Sequence, residues 1–600
     1  MQRLLEAIQE RKLDRIAAGY AVAGWGLTQA ASIALPAFNA PGWSLKALIL
    51  FLVLGFPVAL GLGWVGARHF QTGPAEPVRL PRAHAAMLGL FLLVLVLVLG
   101  ELVYRLSRSG VAAPAGHVAA VSEPAAASIA VLPFANMSGD RAKDYFSDGI
   151  SEELLNDLAN VPELRVAART SSFAFKGKNE DVKTIARLLA VRSVVEGSVR
   201  ENGHHLRIHA ELIDARNGYD LWSASYDRDM TDALTVQDDI ARAIVAALTH
   251  KLLPKGKARP NRPQTIDPEA YREYLEAQYE LAPRTQTGSE KALALFKQVV
   301  ARQPDFADAF AGLGRAYINV AEYHTDQKDL IPAAKAALER ALALDPDNLE
   351  ALGSHLDLAL HRMDWKTAGA DARRMNAINP HSQAVLHEMF RYYQTLGFPE
   401  KALAAAQGAA QLNRLSVVDR LNVAAAYNHM ARFAEGAKAA EDALALYPNQ
   451  PFVLSMLCTG YAHSNRLDKA RAILTQLSEM RETGAASSCA FDIAVGSADR
   501  KQALAVMDKL AAQFPTGDLG ATDIGDNYAI AGDYAKAVKW LTRAYDVREF
   551  ALFTIPYDKA IPPQFFETAG WKALWDRPLV RDWQTAHDSV AAELARRPTG

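Results

Sequence analysis

Small residues recur at a nearly fixed interval through the second half of the chain, within stretches whose apolar positions follow the helical period. The gaps between successive members are 42 residues, then 34 four times, then 33 and 34. The members are Ala292, Ala334, Ala368, Ala402, Gly436, Ala470, Ala503 and Ala537. This period predicts about eight stacked helix pairs, because a small residue lets the two helices of a pair approach closely.

Large aromatic rings keep the same register. Tyr393, Tyr427 and Tyr461 each lie nine residues before a small residue, which places them on buried helix faces. Cys458 falls on an inward face and is interpreted as a packing residue. Cys489 follows in the next repeat, slightly off the inward face, and a Cys458–Cys489 disulfide requires an oxidising compartment. The register leaves that pairing open.

A 34-residue period with small residues at the tightest helix contact is typical of tetratricopeptide-like repeats, which present a binding surface rather than a catalytic pocket. We assign these repeats to residues 254–548, with a longer loop in the 42-residue gap. Residues 549–600 contain Trp571, Trp575 and Trp583. We interpret this segment as a cap on the last repeat, and an aromatic binding box is the alternative. The predicted superhelical solenoid is all-α.

The first hundred residues are strongly apolar. Three stretches are long enough to cross a hydrocarbon core of about 30 Å, and they lie at 16–35, 46–67 and 85–104. They predict an α-helical membrane anchor at 16–105, with residues 1–15 as a short cytoplasmic tail. The glycines at 61, 63 and 66 spell GxGxxG inside a span, where helix packing explains them better than dinucleotide binding.

Positive residues before the first span and after the second set the orientation. With three spans, the chain is a multi-pass inner-membrane protein whose large C-terminal part is periplasmic. If 16–35 lies flat in the interface instead, two spans return that part to the cytoplasm. Residues 106–127 are small and proline-containing, and predict a flexible linker.

Between residues 128 and 253 the pattern predicts a small α/β domain. Short strands and helices lead into a three-stranded meander at 194–201, 206–214 and 221–226, whose turns carry Asn-Gly pairs. A closing helix is predicted at about 234–252. In the central strand apolar and polar residues alternate, so one face is buried and the other meets water.

The segments SIAVLPF, YFSDGISEEL and EGSVR, with a W-S-x-x-Y-D segment, make this domain resemble the TolB-like or FlgO-like domain of bacterial envelope proteins over about 125 residues. In that family the domain often stands between a membrane anchor and tetratricopeptide repeats. The resemblance implies a non-catalytic periplasmic assembly or sensing module. Relatives often carry a cyclase or DNA-binding domain ahead of the membrane, and residues 1–15 are too few for one.

Several polar clusters are candidates for chemistry, and each has a simpler interpretation. His204, His205 and His209 lack further residues at ligand spacing, which favours a solvated hairpin over a metal site. No cysteine pair has CxxC spacing. We therefore predict no metal and no cofactor.

Acidic and basic residues near the first helix of the α/β domain are also candidates. Asp148, Glu152 and Glu153 share one predicted helix start, so capping is favoured over paired acid/base catalysis. Lys176 and Lys178 lie in a turn without the Gly-rich pattern of a phosphate site. The sequence predicts no catalytic residue.

The net charge of −2 gives no basic field for nucleic acid. The first hypothesis is therefore a non-enzymatic scaffold that binds protein or peptide partners of the envelope through the solenoid. The alternative is a sensory or regulatory protein coupled to a separate cyclase, kinase or transcription factor. The third is an enzyme with an unrecognised site. The oligomeric state and the groove residues stay undetermined.

Overall fold

The computed structural model describes residues 127–178, 180–249, 265–323, 329–514 and 519–596, with isolated positions before residue 127. The chain divides into two compact units, Met1–Val118 and Ala119–Gly600. The predicted tail 1–15, nearly all of the predicted anchor 16–105 and nearly all of the linker 106–127 lie outside the described residues. Every element below belongs to the second unit.

The membrane-anchored part of the predicted fold class requires a correction. Within the described ranges, no helix is both long enough and apolar enough to cross a membrane. The longest helix there, Pro578–Arg596, has 19 residues and carries three acidic and two basic ones, whereas a span needs about 20 mostly apolar residues. The finding contradicts the predicted α-helical anchor and the predicted multi-pass inner-membrane localisation, and neither is carried further.

One mixed sheet forms the α/β domain. Its strands are β1 (Ser128–Val131), β2 (Ala135–Asn136), β3 (Arg165–Val166), β4 (Ser193–Asn202), β5 (His205–Asp214) and β6 (Tyr219–Asp229). The order is β3-β1-β4-β5-β6, with β2 paired to β4. β1 pairs in parallel with β3 and β4, and β4, β5 and β6 form an antiparallel meander. The first turn of the meander contains Gly203, whose φ of 63° suits glycine.

Four helices accompany the sheet: α1 (Asp144–Ala159), α2 (Arg169–Phe173), α3 (Val182–Leu189) and α4 (Ala233–Thr249). α1 packs on the sheet and on the first helix of the solenoid. Gly149 makes this approach possible, because a Cβ there would lie 2.7 Å from Cδ2 of Leu275. One hydrophobic core therefore runs from Ile129 in the sheet to Phe296 in the first repeat.

Eight helix pairs follow. They are α5 (Pro268–Leu281) with α6 (Gln286–Arg302), α7 (Ala307–Tyr323) with α8 (Leu330–Leu344), α9 (Leu349–His361) with α10 (Trp365–Ile378), α11 (Gln383–Thr395) with α12 (Pro399–Leu412), α13 (Val417–His429) with α14 (Phe433–Leu444), α15 (Pro451–His463) with α16 (Leu467–Glu479), α17 (Thr483–Gly496) with α18 (Arg500–Ala511), and α19 (Ala521–Ile530) with α20 (Tyr534–Asp546). Successive pairs stack on one another, which makes a tetratricopeptide-type solenoid. The first helices of the pairs line its inner face.

Each small residue of the period lies in the second helix of a pair and is buried. Where glycine replaces alanine, at Gly436, a Cβ would lie 2.1 Å from Oδ1 of Asn428. Five residues before the small residue, the turn between the paired helices passes through positive φ in six consecutive repeats. Glycine occupies that turn in two of them, at Gly397 and Gly532, where positive φ costs least.

The C-terminal segment closes the solenoid with a 3-10 stretch, Phe550–Tyr557, and three helices, α21 (Pro563–Phe566), α22 (Ala569–Trp575) and α23 (Pro578–Arg596). Its rings pack on the last repeat. It also reaches back to the fourth pair, where Nε1 of Trp583 donates to the carbonyl of Thr395 at 3.0 Å. Trp571 and Trp583 are buried. The segment therefore covers more of the solenoid than its last repeat.

Candidate binding grooves

The inner face divides into two parts. The proximal groove is lined by α5, α7, α9, α11 and the start of α13, and α1 and α2 of the α/β domain lie over it. The distal groove is lined by α13, α15, α17 and α19, together with Asp558 and Ala560 of the C-terminal segment. The positions that line both grooves follow the repeat period.

Hydrogen bonds hold the α/β domain against the proximal groove. The buried side chain of Asn379 donates from Nδ2 to the carbonyl of Ala159, at 2.7 Å, and so satisfies the C-terminal end of α1. Ser171 donates to Oδ1 of Asn413 at 2.8 Å and accepts from the backbone N–H of Leu415 at 2.9 Å. These contacts join sequence positions more than 200 residues apart. The solenoid therefore binds a domain of its own chain on this part of its inner face.

A cavity of about 440 Å³ remains between the two partners. Its charged groups are paired across the helices. Arg169, which lines the adjoining cavity, lies 2.6 Å from Glu152, and Arg315 lies 3.3 Å from Glu350. His387 contacts Asp419, with Nδ1 and Oδ1 3.0 Å apart. Opposite charges thus largely neutralise one another in the proximal groove.

A buried ion network continues along this groove. Burial raises the pKa of Asp357, but the contacts from His361 and Arg391 outweigh it and lower the pKa to about 2. Burial also raises the pKa of Glu388, against the opposing charge of Arg391. Burial lowers the pKa of His387, yet the bond to Asp419 more than offsets this and the pKa ends above its ordinary value.

The distal groove encloses about 340 Å³ and has a different charge. Its lining includes the carboxylates Asp492, Asp523, Asp526 and Asp558 and the apolar side chains Phe433, Phe491 and Ile530. No lysine or arginine is among the lining residues in the described ranges. The two histidines there are paired, with His463 3.2 Å from Asp492 and His429 3.5 Å from Asp558. The distal groove is acidic.

The carboxyl group of Asp526 is enclosed by neighbouring protein atoms, although part of the side chain still meets solvent in the groove. Burial raises its pKa well above the ordinary value, and the neighbouring Asp558 and Asp523 raise it further. Partial desolvation likewise raises the pKa of Asp523, which is still exposed to solvent, despite the backbone N–H of Gly520. Three carboxyl groups therefore face one another with no lysine or arginine in the described lining, and the basic group beside them there is the imidazole of His429, 3.5 Å from Asp558.

The predicted register residues lie between helices rather than in the grooves. None of the eight small residues or the three tyrosines lines the proximal or distal cavity. Tyr461 donates to Glu441 at 2.8 Å, and Tyr427 accepts from Gln407 at 3.1 Å. Tyr528 also stands nine residues before a small residue and donates to Asp508, although the predicted set of tyrosines does not include it. Each partner is twenty residues earlier, so these bonds tie successive repeats together.

Cys458 and Cys489 form a disulfide between α15 and α17, with Cα atoms 5.5 Å apart. Both are fully buried in the core shared by these repeats. Cys489 is thus as buried as Cys458, although the register places it slightly off the inward face.

The predictions from sequence name no groove-lining residue, yet the repeat period marks these positions. Eleven residues before each small residue, six consecutive repeats carry a groove-lining residue. They are Asp357, Arg391, Ala425, Thr459, Asp492 and Asp526. One position of the repeat thus pairs opposite charges in the proximal groove and becomes acidic in the distal groove.

The candidate chemistry of the α/β domain takes other roles. The capping interpretation of Asp148 is corrected, since α1 begins at Asp144 and Asp148 lies inside it, 2.5 Å from Nζ of Lys176. Glu153 accepts from the hydroxyl of Tyr274 at 2.8 Å. His209 lies on the meander, 2.6 Å from Oε1 of Glu211. In the described residues no group of three or more His, Cys, Asp or Glu side chains could hold a metal ion.

Comparison with known proteins adds one relative in sequence and several in fold. No family model matches the chain. The chain is 38% identical over 244 residues to a protein named putative adenylate cyclase 3 of Rhizobium meliloti (strain 1021). That match spans 40% of this chain and 41% of the relative, so it leaves most of both chains unmatched.

Among solved structures, the chain is similar to PilF of Pseudomonas aeruginosa, at 21% identity over 35% of this chain and 92% of that one, with a TM-score of 0.28. PilW, a type IV pilus biogenesis factor, is 18% identical over 35% of this chain and 95% of that one, with a TM-score of 0.30. YrrB, a TPR protein with an unusual peptide-binding site, is 15% identical over 36% of this chain and 97% of that one, with a TM-score of 0.26. The repeat assignment rests on this chain's own helix pairs.

Proposed function

We propose that this chain is a non-enzymatic protein-interaction scaffold that binds an extended peptide segment of a partner in its distal groove. The observation that carries the proposal is the division of the inner face. The α/β domain covers the proximal part through Asn379, Ser171 and a shared core. No described residue of that domain lines the distal cavity.

The distal groove suits a peptide because four first helices present side chains at one repeated position. Thr459, Asp492 and Asp526 supply hydrogen-bonding groups along the groove, and Phe433 and Phe491 supply apolar walls. An extended chain can contact successive repeats in this way, which is the general use of solenoid inner surfaces. The α/β domain, which we continue to interpret as TolB-like, positions the first repeats through its shared core.

Site-specific photocrosslinking tests this assignment. Benzoylphenylalanine is introduced into the full chain at Met456 in the distal groove, at Ser354 in the proximal groove or at Lys469 on an exposed second helix. Peptides selected from a random library against the wild-type chain are then irradiated with each variant. We expect crosslinks from position 456. Crosslinks from 354 or 469 with none from 456 contradict the proposal.

The relative named putative adenylate cyclase 3 motivates a second candidate, a regulatory protein that acts with a separately encoded cyclase. Cyclic-nucleotide levels in cells that lack the chain test this candidate. A change restored by the wild type but not by a distal-groove variant supports it, and unchanged levels count against it.

A further inference from the structure

The carboxyl groups of the distal groove indicate which kind of side chain a bound peptide would place there. In the proximal groove the repeated position eleven residues before the small residue carries Asp357 and Arg391, which pair with each other. In the distal groove the same position carries Asp492 and then Asp526. The charge that Arg391 supplies in one groove has no counterpart in the described lining of the other.

The carboxylate of Asp492 has hydrogen-bonding partners among its neighbours, whereas one oxygen of Asp526 has none. Asp492 accepts from the hydroxyl of Thr459 at 2.7 Å and contacts His463. Oδ1 of Asp526 is buried and receives no hydrogen bond. A buried carboxylate oxygen without a donor is unfavourable, and native proteins rarely leave one so. Asp526 is also one of the residues that line the distal cavity, so its carboxyl group lies next to the space that a ligand would fill.

Asp523 and Asp558 add negative charge beside Asp526, which favours binding of a cation there. Asp558 accepts from the backbone N–H of Ala560 at 2.7 Å, and Asp523 accepts from that of Gly520 at 3.1 Å. Neither bond neutralises the negative charge, and His429, 3.5 Å from Asp558, sets one imidazole against three carboxyl groups. The walls formed by Phe433, Phe491 and Ile530 can accommodate an aliphatic stem beneath a charged head.

We propose that the distal groove recognises a basic side chain of the partner's peptide, with the guanidinium or ammonium group of an arginine or lysine donating to Asp526 beside Asp523 and Asp558. This rests on the proposed peptide-binding function. A guanidinium offers five donors and a fixed positive charge, which would stabilise the ionised, acceptor-only form of Asp526 that burial and the neighbouring carboxyl groups otherwise disfavour. A neutral side chain would leave the negative charge uncompensated, and an acidic side chain would add a repelling charge.

Four fluorescein-labelled nonapeptides test the chemistry. Their sequence is Ser-Gly-Ala-Phe-X-Phe-Ala-Gly-Ser, and X is arginine, lysine, glutamine or glutamate. Binding to the full chain is measured by fluorescence anisotropy. We expect the arginine and lysine peptides to bind at least tenfold more tightly than the glutamine peptide and the glutamate peptide to bind weakest, because charge-assisted hydrogen bonds to a buried carboxylate are strong.

Asp526→Asn removes the charge without changing the shape of the side chain. We expect this substitution to weaken binding of the arginine peptide at least tenfold and to leave binding of the glutamine peptide unchanged. The matched control is Asp468→Asn, whose side chain is fully exposed on α16 and whose charge change is the same. Asp526→Asn also relieves repulsion from Asp523 and Asp558, so its melting temperature should rise. A merely structural role for Asp526 predicts lost stability instead.

The outcomes separate the two proposals. Equal binding of the arginine and glutamine peptides, with crosslinks still at position 456, overturns the basic-side-chain inference and leaves the peptide groove standing. Absence of binding by every peptide and of crosslinks at 456 overturns both. Spermidine that binds more tightly than the arginine peptide would assign the cavity to a free polyamine and overturn the peptide inference.

Discussion

Removal of the Cys458–Cys489 disulfide should loosen the helices that form the distal groove. The bond joins α15 to α17 across a sequence separation of 31 residues, and both side chains are fully buried. In the chain-entropy model, opening a loop of this length costs roughly 4 kcal/mol of stability for the segment it closes. We expect reduction to weaken α15–α17 by that order and to weaken peptide binding with it.

Native-state hydrogen exchange measures this effect locally, as is necessary for repeats that open in parts. With dithiothreitol, amides of α15 to α17 should exchange faster, whereas amides of α7 should not change. The Cys458→Ala, Cys489→Ala double variant should behave like the reduced wild type and should not respond to dithiothreitol. Detection of two free thiols in native protein that has not been treated with reductant would refute the reasoning. Unchanged amide hydrogen exchange after reduction would refute it as well.

Three further perturbations test the contacts between the parts of the chain. Asn379→Asp places a carboxylate against the backbone carbonyls of Ala159, at the end of α1, and Val161, just after it, and should cost about 2–4 kcal/mol in urea unfolding. Gly149→Ala should cost roughly 1–3 kcal/mol in thermal unfolding, and Leu275→Ala, which vacates the space, should reduce that increment. Titration of labelled histidine by NMR should place the pKa of His387 above its ordinary value, and Asp419→Asn should lower it.

The sign of the pH dependence follows from the raised pKa of His387. The bond to Asp419 stabilises the protonated imidazole, so its contribution to stability is fully present below the unfolded pKa of about 6.5. It is lost as the pH rises through the folded pKa. In the Asp419→Asn variant the loss of stability should therefore be larger at pH 6 than at pH 9, and the opposite order would contradict the assignment.

Local periodicity predicted the solenoid well, since each repeat is built from contacts close in sequence. The alternation in β5 likewise predicted a strand with one buried face. The start of α1 was misjudged because Asp148 reads as a cap in the sequence, whereas its charge is met by Lys176, 28 residues later. The membrane anchor rested on length and hydropathy alone, and the described helices contain no such span.

The sequence by itself determined the number and phase of the repeats, because a small residue every 34 positions is a local steric requirement of paired helices. It also determined where the charged groove residues Asp357, Arg391, Asp492 and Asp526 stand, each eleven residues before a small residue. Only the tertiary structure decided which charges meet. It brings Asn379 to the end of α1 and covers the proximal groove, and it brings Asp558 beside Asp526 in the distal groove. Charge pairing depends on distances between side chains, and chain folding sets those distances rather than spacing along the sequence.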